Sequence, residues 1–348
     1  MNNDDKKDIR ASRKDEHIKM FLQHSNANYN FFQDVVLQNN ALPEIDFDDI
    51  SINYTFLDKL IDLPIMINAV TGGTDYTAEI NEKLAILARD FNIPIAVGSQ
   101  AIAIQNKQAE HSFKIVREIN KEGIVIANIS ANNSYEDAIR AIEMIQADAL
   151  QLHLNTPQEI CMQEGERHFK GTLANITRIV NQTKLPVIVK EVGFGISYEV
   201  AMRLHQVGVK YIDVGGRGGT NFIAIEAGRN KEIDHSFLKQ WGIPTALSLL
   251  ECRKASSDLK IICSGGITKA EEVVKAMCMG AAISGISGLI LRELLDNGLE
   301  AARASIIKLK YEIKVFMLLL GAQNIEKLTK TPYLLKGELY QLYKQKFL

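Results

Sequence analysis

One pattern constrains this chain more than any other. A short apolar run, a break of glycine or polar residues and a helical stretch follow one another eight times from Leu63 onward. The runs are Pro64–Val70, Ile93–Val97, Ile124–Ile129, Ala149–Leu154, Pro186–Val192, Tyr211–Val214, Lys260–Cys263 and Ala281–Ile286. They are apolar nearly throughout, as strands of a parallel sheet buried on both faces must be. Eight strand–helix units in succession close most simply into a (β/α)8 barrel, a TIM barrel. A doubly wound alternative exists locally. Gly193-Phe194-Gly195 ends a strand and opens a helix, and Asp213 follows about twenty residues on, as a dinucleotide fold requires. Tyr198 occupies the third glycine position, however, and seven other runs favour the barrel.

Domain organisation follows from where the repeat starts and stops. Residues 1–62 form an N-terminal arm and lead-in, with a charged turn at Arg13-Lys14-Asp15-Glu16-His17 running into a short apolar helix. Residues 63–348 form the barrel, with additional C-terminal helices at Leu289–Leu295 and Leu299–Leu320. Ser134 with Asp137, and Thr268 with Glu271, have capping-box spacing; Ser197 is a further N-cap.

Charge and composition exclude several classes. The net charge is −2, which gives no electrostatic footprint for nucleic acid or an anionic membrane surface. The longest uncharged run, Met277–Leu291, is broken by glycine and serine and falls short of the roughly 20 apolar residues of a membrane span. The four cysteines have no zinc spacing and read as reduced thiols. No signal peptide is visible at the N-terminus, so a cytoplasmic location is expected.

The chemistry gathers at the ends of the runs, where this fold puts its active site. His153 and Asn155 are two apart and share a side of the fourth strand. Gln158 and Glu159 follow after a turn set by Pro157. Ser264-Gly265-Gly266 and Ser287-Gly288 end the last two strands. Their open backbone and the helix N-termini behind them suit a phosphate. Thr71-Gly72-Gly73, Ser99 and Asn128 offer small neutral hydrogen-bonding groups, and Lys190 a cation that can meet an anionic ring or carbonyl. A phosphate cradle beside such a lining describes FMN. Glu159 is a single carboxylate of the kind that holds Mg²⁺ together with substrate phosphates. Cys161 has no adjacent base and reads as packing.

These residues, taken in order, resemble the type 2 isopentenyl-diphosphate isomerases. The match rests on Arg13-Lys14-x-Glu16-His17, Thr71-Gly72-Gly73, Gly98-Ser99-Gln100, His153-x-Asn155-x-x-Gln158-Glu159, Lys190-Glu191-Val192-Gly193-Phe194-Gly195, Gly218-Gly219-Thr220-Asn221-Phe222 and Ser264-Gly265-Gly266. The resemblance implies a flavoprotein isomerase of isoprenoid biosynthesis that interconverts isopentenyl and dimethylallyl diphosphate by a 1,3-allylic proton shift. It would use reduced FMN and Mg²⁺, with NAD(P)H as reductant, and would be a homo-oligomer, a tetramer or larger. FMN would contact Val70, Thr71, Gly72, Ser99, Asn128, Lys190, Thr220, Gly265, Gly266, Ser287 and Gly288. Arg13, Lys14, Ser99, Asn155 and Gln158 would bind substrate, Glu159 would bind Mg²⁺, and Gln158 with His153 would face the reaction. Gln158 is a neutral amide and a poor acid or base, so the reduced flavin is the better proton carrier.

The chain departs from the family's usual residues at three places. Gly215 stands where serine is common, Ala101 where arginine is common, and Val70 where methionine is common. Rival readings are an FMN-dependent 2-hydroxy-acid oxidase, a nucleotide dehydrogenase of the same architecture and a non-catalytic flavin-binding protein. The first needs a histidine, and the second a cysteine, in the loop Asp213-Val214-Gly215-Gly216-Arg217, which has neither. The third leaves the polar cluster from His153 to Glu159 without a purpose.

Overall fold

In the computed structural model, which describes Met20, residues 29–229 and residues 234–348, the eight runs form a closed parallel barrel. The strands are Ile65–Ile67, Ile95–Ala96, Val125–Ser130, Ala149–Leu154, Val187–Glu191, Tyr211–Asp213, Lys260–Ser264 and Ile283–Ile286. Each pairs with the next in sequence, and the ring closes where Ser284 sits opposite Ile65. No doubly wound sheet forms around Gly193-Phe194-Gly195.

The two-residue period of the strands sorts the barrel interior into layers. The lowest is apolar: Met66, Ala96, Ile126, Ala149, Ile188, Ile262 and Ile283 pack together. Two residues further along, the same faces carry Asn68, Asn128, Gln151, Lys190, Asp213 and Ser264, all buried. Two residues beyond those lie Val70, Ser130, His153, Val192, Gly215, Gly266 and Ser287, which line an open cleft. The register thus turns a hydrophobic plug into a polar floor and then into a site.

The lead-in segment closes the other end. Tyr54–Phe56 and Lys59–Ile61 form an antiparallel hairpin whose two turn residues, Leu57 and Asp58, both take positive φ (49° and 61°). That is the sign a tight two-residue hairpin demands. It drives Phe56 and Ile61 onto the apolar layer, where burying each contributes about 1.5–3 kcal/mol. A second short pair, Val35–Leu37 with Tyr333–Leu335, fastens the lead-in to the C-terminal region. The two expected C-terminal helices run Gly288–Asn297 and Leu299–Leu319, and two further helices, Ile325–Leu328 and Gly337–Phe347, follow them.

Three local expectations are corrected. Gln158 and Glu159 do not follow a simple turn; they lie on a short helix, Thr156–Cys161, because Pro157 fits a first helical turn, where no N–H partner is needed. The sequence reads as a polar insertion running from Thr220 to Trp241, but the stretch holds more than that. It contains the helix Phe222–Arg229, whose start is capped by Asn221 Oδ1 accepting from Ala224 N–H at 3.1 Å. The second capping box is shifted by one residue. The helix begins at Ala270, and the Glu272 carboxylate accepts from the N–H groups of Thr268 (2.8 Å) and Lys269 (3.1 Å). The caps at Ser134 with Asp137 and at Ser197 form as expected. No helix among the described residues is long and apolar enough to cross a membrane.

Candidate active site

The cleft at the C-terminal ends of the strands has a volume of about 1080 Å³. Its floor is a chain of hydrogen bonds with a fixed direction. Asp213 is fully buried and, as a carboxylate, only accepts. Its Oδ2 takes a 2.6 Å bond from Asn68 Nδ2, and Asn68 Oδ1 then accepts from Gln151 Nε2 at 3.0 Å. Gln151 Oε1 accepts from Asn128 Nδ2 at 3.2 Å, which leaves Asn128 Oδ1 facing His153 Nδ1 at 2.8 Å. Each amide can satisfy its neighbour in only one orientation, so the chain assigns the proton of His153 to Nδ1.

Lys190 completes this floor. Its Nζ lies 3.2 Å from Asp213 Oδ2 and donates to the Glu191 carbonyl at 2.9 Å. The neighbouring Glu191 side chain is not its ion-pair partner. One Glu191 carboxyl oxygen accepts from the N–H groups of Val192, Gly193 and Phe194 at 2.6–3.0 Å. Burial pushes this carboxyl up to about 8 despite those three donors and Lys190. Asp213 Oδ1 also accepts from Ser264 Oγ at 2.5 Å and from Gly215 N–H at 3.2 Å.

On one wall stands the cluster from the fourth strand. His153, Asn155, Gln158 and Glu159 all line the cleft, but they do not form one network. Asn155 Nδ2 donates to Glu159 Oε1 at 2.6 Å, and Glu159 Oε2 accepts from Glu166 N–H at 2.7 Å. Gln158 turns the other way, its Nε2 donating to Glu226 Oε1 at 3.1 Å. Glu226 is a carboxylate 1% exposed on the helix Phe222–Arg229. Cys161 packs with Phe194 and Ile223. Burial, then the Glu226 charge, raises its thiol above the ordinary value, so it is a packing residue and not a thiolate.

The opposite wall is built from glycine. Gly265 and Gly266 have φ of 117° and 77°. A Cβ at Gly266 would lie 2.0 Å from the Gly218 carbonyl oxygen, so the loops after the sixth and seventh strands meet backbone to backbone. Ser287 and Gly288 stand beside them at the start of a ten-residue helix. Thr220, Ser99, Asn128 and Val70 also line the cleft. Thr71 lines it too, with its Oγ1 buried and lacking a hydrogen-bond partner, an orphan that a bound polar ring would satisfy.

The chemistry of these groups suits a phosphorylated heteroaromatic cofactor: glycine cradle, neutral polar floor, one buried cation. For a metal, Glu159 is a single carboxylate at the rim. Among the described residues no group of three or more His, Cys, Asp or Glu converges. That donor set fits Mg²⁺ shared with substrate phosphates and not an all-protein cage.

Three expected site residues are not among the described residues that line the cleft. Gly72 does not line the cleft; its φ of 151° folds it against Phe113, whose ring a Cβ would meet at 2.2 Å. Arg13 and Lys14 lie outside the described residues. The motif reading also passed over several groups. Asn68, Gln151 and Asp213 are signalled by the period of two, as polar residues on interior faces. Glu226 is a charge that directly follows the apolar run Phe222-Ile223-Ala224-Ile225. Arg167 and Arg292 line the cleft and add positive charge, and His168 lines it beside them, with no motif to announce them.

The fold and this cleft define a barrel enzyme of the FMN-dependent class. A family model described as FMN-dependent dehydrogenase matches residues 158–335. Mandelate oxidase in solved structures superposes with a TM-score of 0.68, covering 92% of this chain and 95% of that one. At 18% identity this likeness concerns the fold alone. Sequence relatives are more specific. The isopentenyl-diphosphate delta-isomerase of Geobacillus sp. (strain WCH70) is 44% identical over 330 residues, 94% of each chain. That of Moorella thermoacetica is 43% identical over 94% of each chain. That of Staphylococcus aureus (strain MSSA476) is 38% identical over 97% of each. The chain belongs to the isopentenyl-diphosphate delta-isomerase family, and it is an isomerase.

Proposed function

We propose that this protein interconverts isopentenyl and dimethylallyl diphosphate, holding reduced FMN against the glycine wall and a Mg²⁺-bound diphosphate against the wall that carries Glu159. The observation that carries this reading is the pairing of the two walls. One cleft joins the Gly265-Gly266 cradle to the cluster His153, Asn155, Gln158 and Glu159.

FMN would be held by Val70, Thr71, Ser99, Asn128, Lys190, Thr220, Gly265, Gly266, Ser287 and Gly288, all of which line the cleft. The orphaned Thr71 hydroxyl supports this assignment. When bound, reduced FMN would supply acid–base chemistry for the allylic proton shift, which Gln158, a neutral amide, cannot supply. The protein's part is placement. Asp213 sets the direction of the floor, and His153 is held with Nδ1 protonated toward Asn128. Glu226 fixes the Gln158 amide where the prenyl chain would lie. Ser99 and Asn155 serve the substrate, together with Arg13 and Lys14, which belong to the N-terminal arm. NAD(P)H is the expected reductant. The apolar residues Ile307, Tyr311 and Leu319 exposed on the helix Leu299–Leu319 support a homo-oligomer.

The hydroxy-acid oxidase alternative is disfavoured by Arg217, whose guanidinium turns to the Gly242 carbonyl and Gln240 and does not line the cleft. The deciding experiment is incubation with isopentenyl diphosphate, FMN, Mg²⁺ and NADPH, followed by product analysis. Dimethylallyl diphosphate should form, and omitting FMN, Mg²⁺ or reductant in turn should stop it. Turnover undiminished without FMN would end the proposal.

A further inference from the structure

Two residues outside the cleft hold the carbonyls of the glycine wall. Thr245 is fully buried at the start of the helix Thr245–Ala255, and its Oγ1 donates to the Gly265 carbonyl at 2.6 Å. Asn30, 7% exposed and far away in sequence, donates from Nδ2 to the Gly266 carbonyl at 3.1 Å and to Glu272 Oε1 at 2.8 Å. Its own Oδ1 accepts from Phe32 N–H at 3.1 Å, and its carbonyl from Ala246 N–H at 3.0 Å. A Cβ on Gly218 would meet Asn30 Cβ at 2.5 Å, so Asn30 braces both loops of the wall.

The consequence is geometric. No peptide bond here is cis, and in a trans peptide the C=O of one residue points opposite to the N–H of the next. Neither Asn30 nor Thr245 lines the cleft, whereas Gly265, Gly266 and Ile267 do. Pulling the two carbonyls down toward Thr245 and Asn30 therefore turns the N–H groups of Gly266 and Ile267 up toward the cleft. Neither N–H has a hydrogen-bond acceptor among the described residues. Two successive N–H groups held in this way form an anion-binding concavity.

We infer that Thr245 and Asn30 are positioning residues that aim this pair of N–H groups at the cofactor phosphate. The inference rests on the reading of the glycine wall as the phosphate site. Their effect should fall on the phosphate and spare the ring, which separates aim from bulk packing.

The test compares FMN with riboflavin, which has the ring and lacks the phosphate, by quenching of flavin fluorescence. Thr245→Val and Asn30→Ala should each weaken FMN binding by at least about tenfold, the scale of a hydrogen bond made to a charged group, and leave riboflavin binding unchanged. Thr245→Ser, which keeps the hydroxyl, should restore FMN affinity. Equal weakening of both ligands, or weakening of neither, overturns the inference; a Val variant too unstable to measure leaves Asn30→Ala and Thr245→Ser to decide it. If the parent protein binds FMN no more tightly than riboflavin, the phosphate site itself is misassigned. That outcome is distinct from a failure of the two positioning residues.

Discussion

Asp213 accepts a 2.6 Å hydrogen bond from the Asn68 amide, and that bond gives direction to the floor of the cleft from Asn68 to His153. Four donors meet this carboxylate: Asn68 Nδ2, Lys190 Nζ, Ser264 Oγ and Gly215 N–H. In Asp213→Asn one accepting oxygen becomes a donor, and buried Lys190 loses its counter-charge. Removing one partner of a buried pair costs about 3–5 kcal/mol. Chemical denaturation should show a loss of that order. A loss below about 1 kcal/mol would mean that Lys190 finds another partner and that the floor is not organised from Asp213.

Gln158 reaches Glu226 across 3.1 Å, and the carboxylate is as buried as the core around it. Glu226→Gln keeps the volume but replaces a charged acceptor with an amide. We expect kcat to fall about ten- to a hundredfold, the scale of one charge-assisted bond, with KM for the diphosphate nearly unchanged. FMN affinity should not move, since Glu226 does not line the cofactor wall. A rise in KM with kcat intact would place Glu226 in substrate binding.

The barrel was legible because its signal is repetition. Each apolar run ends in glycine or a polar residue, and the eight strands fall inside or within one residue of the expected runs. The wall motifs were legible because backbone demands glycine where two loops touch, as at Gly266 against Gly218. The floor was harder to read. Gln151 and Asp213 sit in two different strands and Asn68 just past the end of a third, and each looks like an isolated polar residue in an apolar run. Only the shear of the closed barrel brings them to one level. Glu226 escaped notice for a different reason. The helix that carries it has a weak local signal and is held by the tertiary packing of Ile223 on Cys161 and Phe194. Gly72 sits against Phe113, a placement that its polar and open motif does not announce.

Gly215 explains a departure that sequence alone left open. Its φ is +44°, and a Cβ there would lie 1.9 Å from the Glu191 carbonyl oxygen. The serine common in the family does not fit this backbone without movement of the sixth strand's end. Gly215→Ser should cost about 1–3 kcal/mol, the usual penalty for such a conformation in a residue with a side chain. A thermal melt of the variant is the measurement; an unchanged or higher Tm would show that the loop relaxes freely.

Glu191 gives the fold a pH dependence of definite sign. Burial raises its carboxyl from the ordinary 4.5 to about 8. The folded state therefore holds this proton where the unfolded chain has released it, and stability falls as pH rises from about 4.5 to about 8. The contribution is fully present below the lower value and lost through the upper one. Urea midpoints measured across that range should decline with pH, and Glu191→Gln should flatten the decline. A parent slope of the opposite sign that the variant removes would mean that the carboxylate is ionised throughout by its three backbone donors.

Glu159 provides the sharpest test of the metal assignment. Both its oxygens already accept a bond, from Asn155 Nδ2 at 2.6 Å and Glu166 N–H at 2.7 Å. A carboxylate has about four lone-pair sites, so each oxygen keeps one for a cation. These two bonds orient the group, as partners behind a metal ligand do. Glu159→Gln removes the charge and sets an amide against the Glu166 N–H. The Mg²⁺ concentration giving half-maximal activity should then rise by about tenfold or more, within the range for losing a carboxylate ligand. FMN binding should be unaffected, because the cofactor wall lies across the cleft, and EDTA should abolish the activity of both proteins. If the variant reaches half its activity at the parent's Mg²⁺ concentration, the metal is held by the diphosphate and other residues, and Glu159 serves only to hold Asn155 in place.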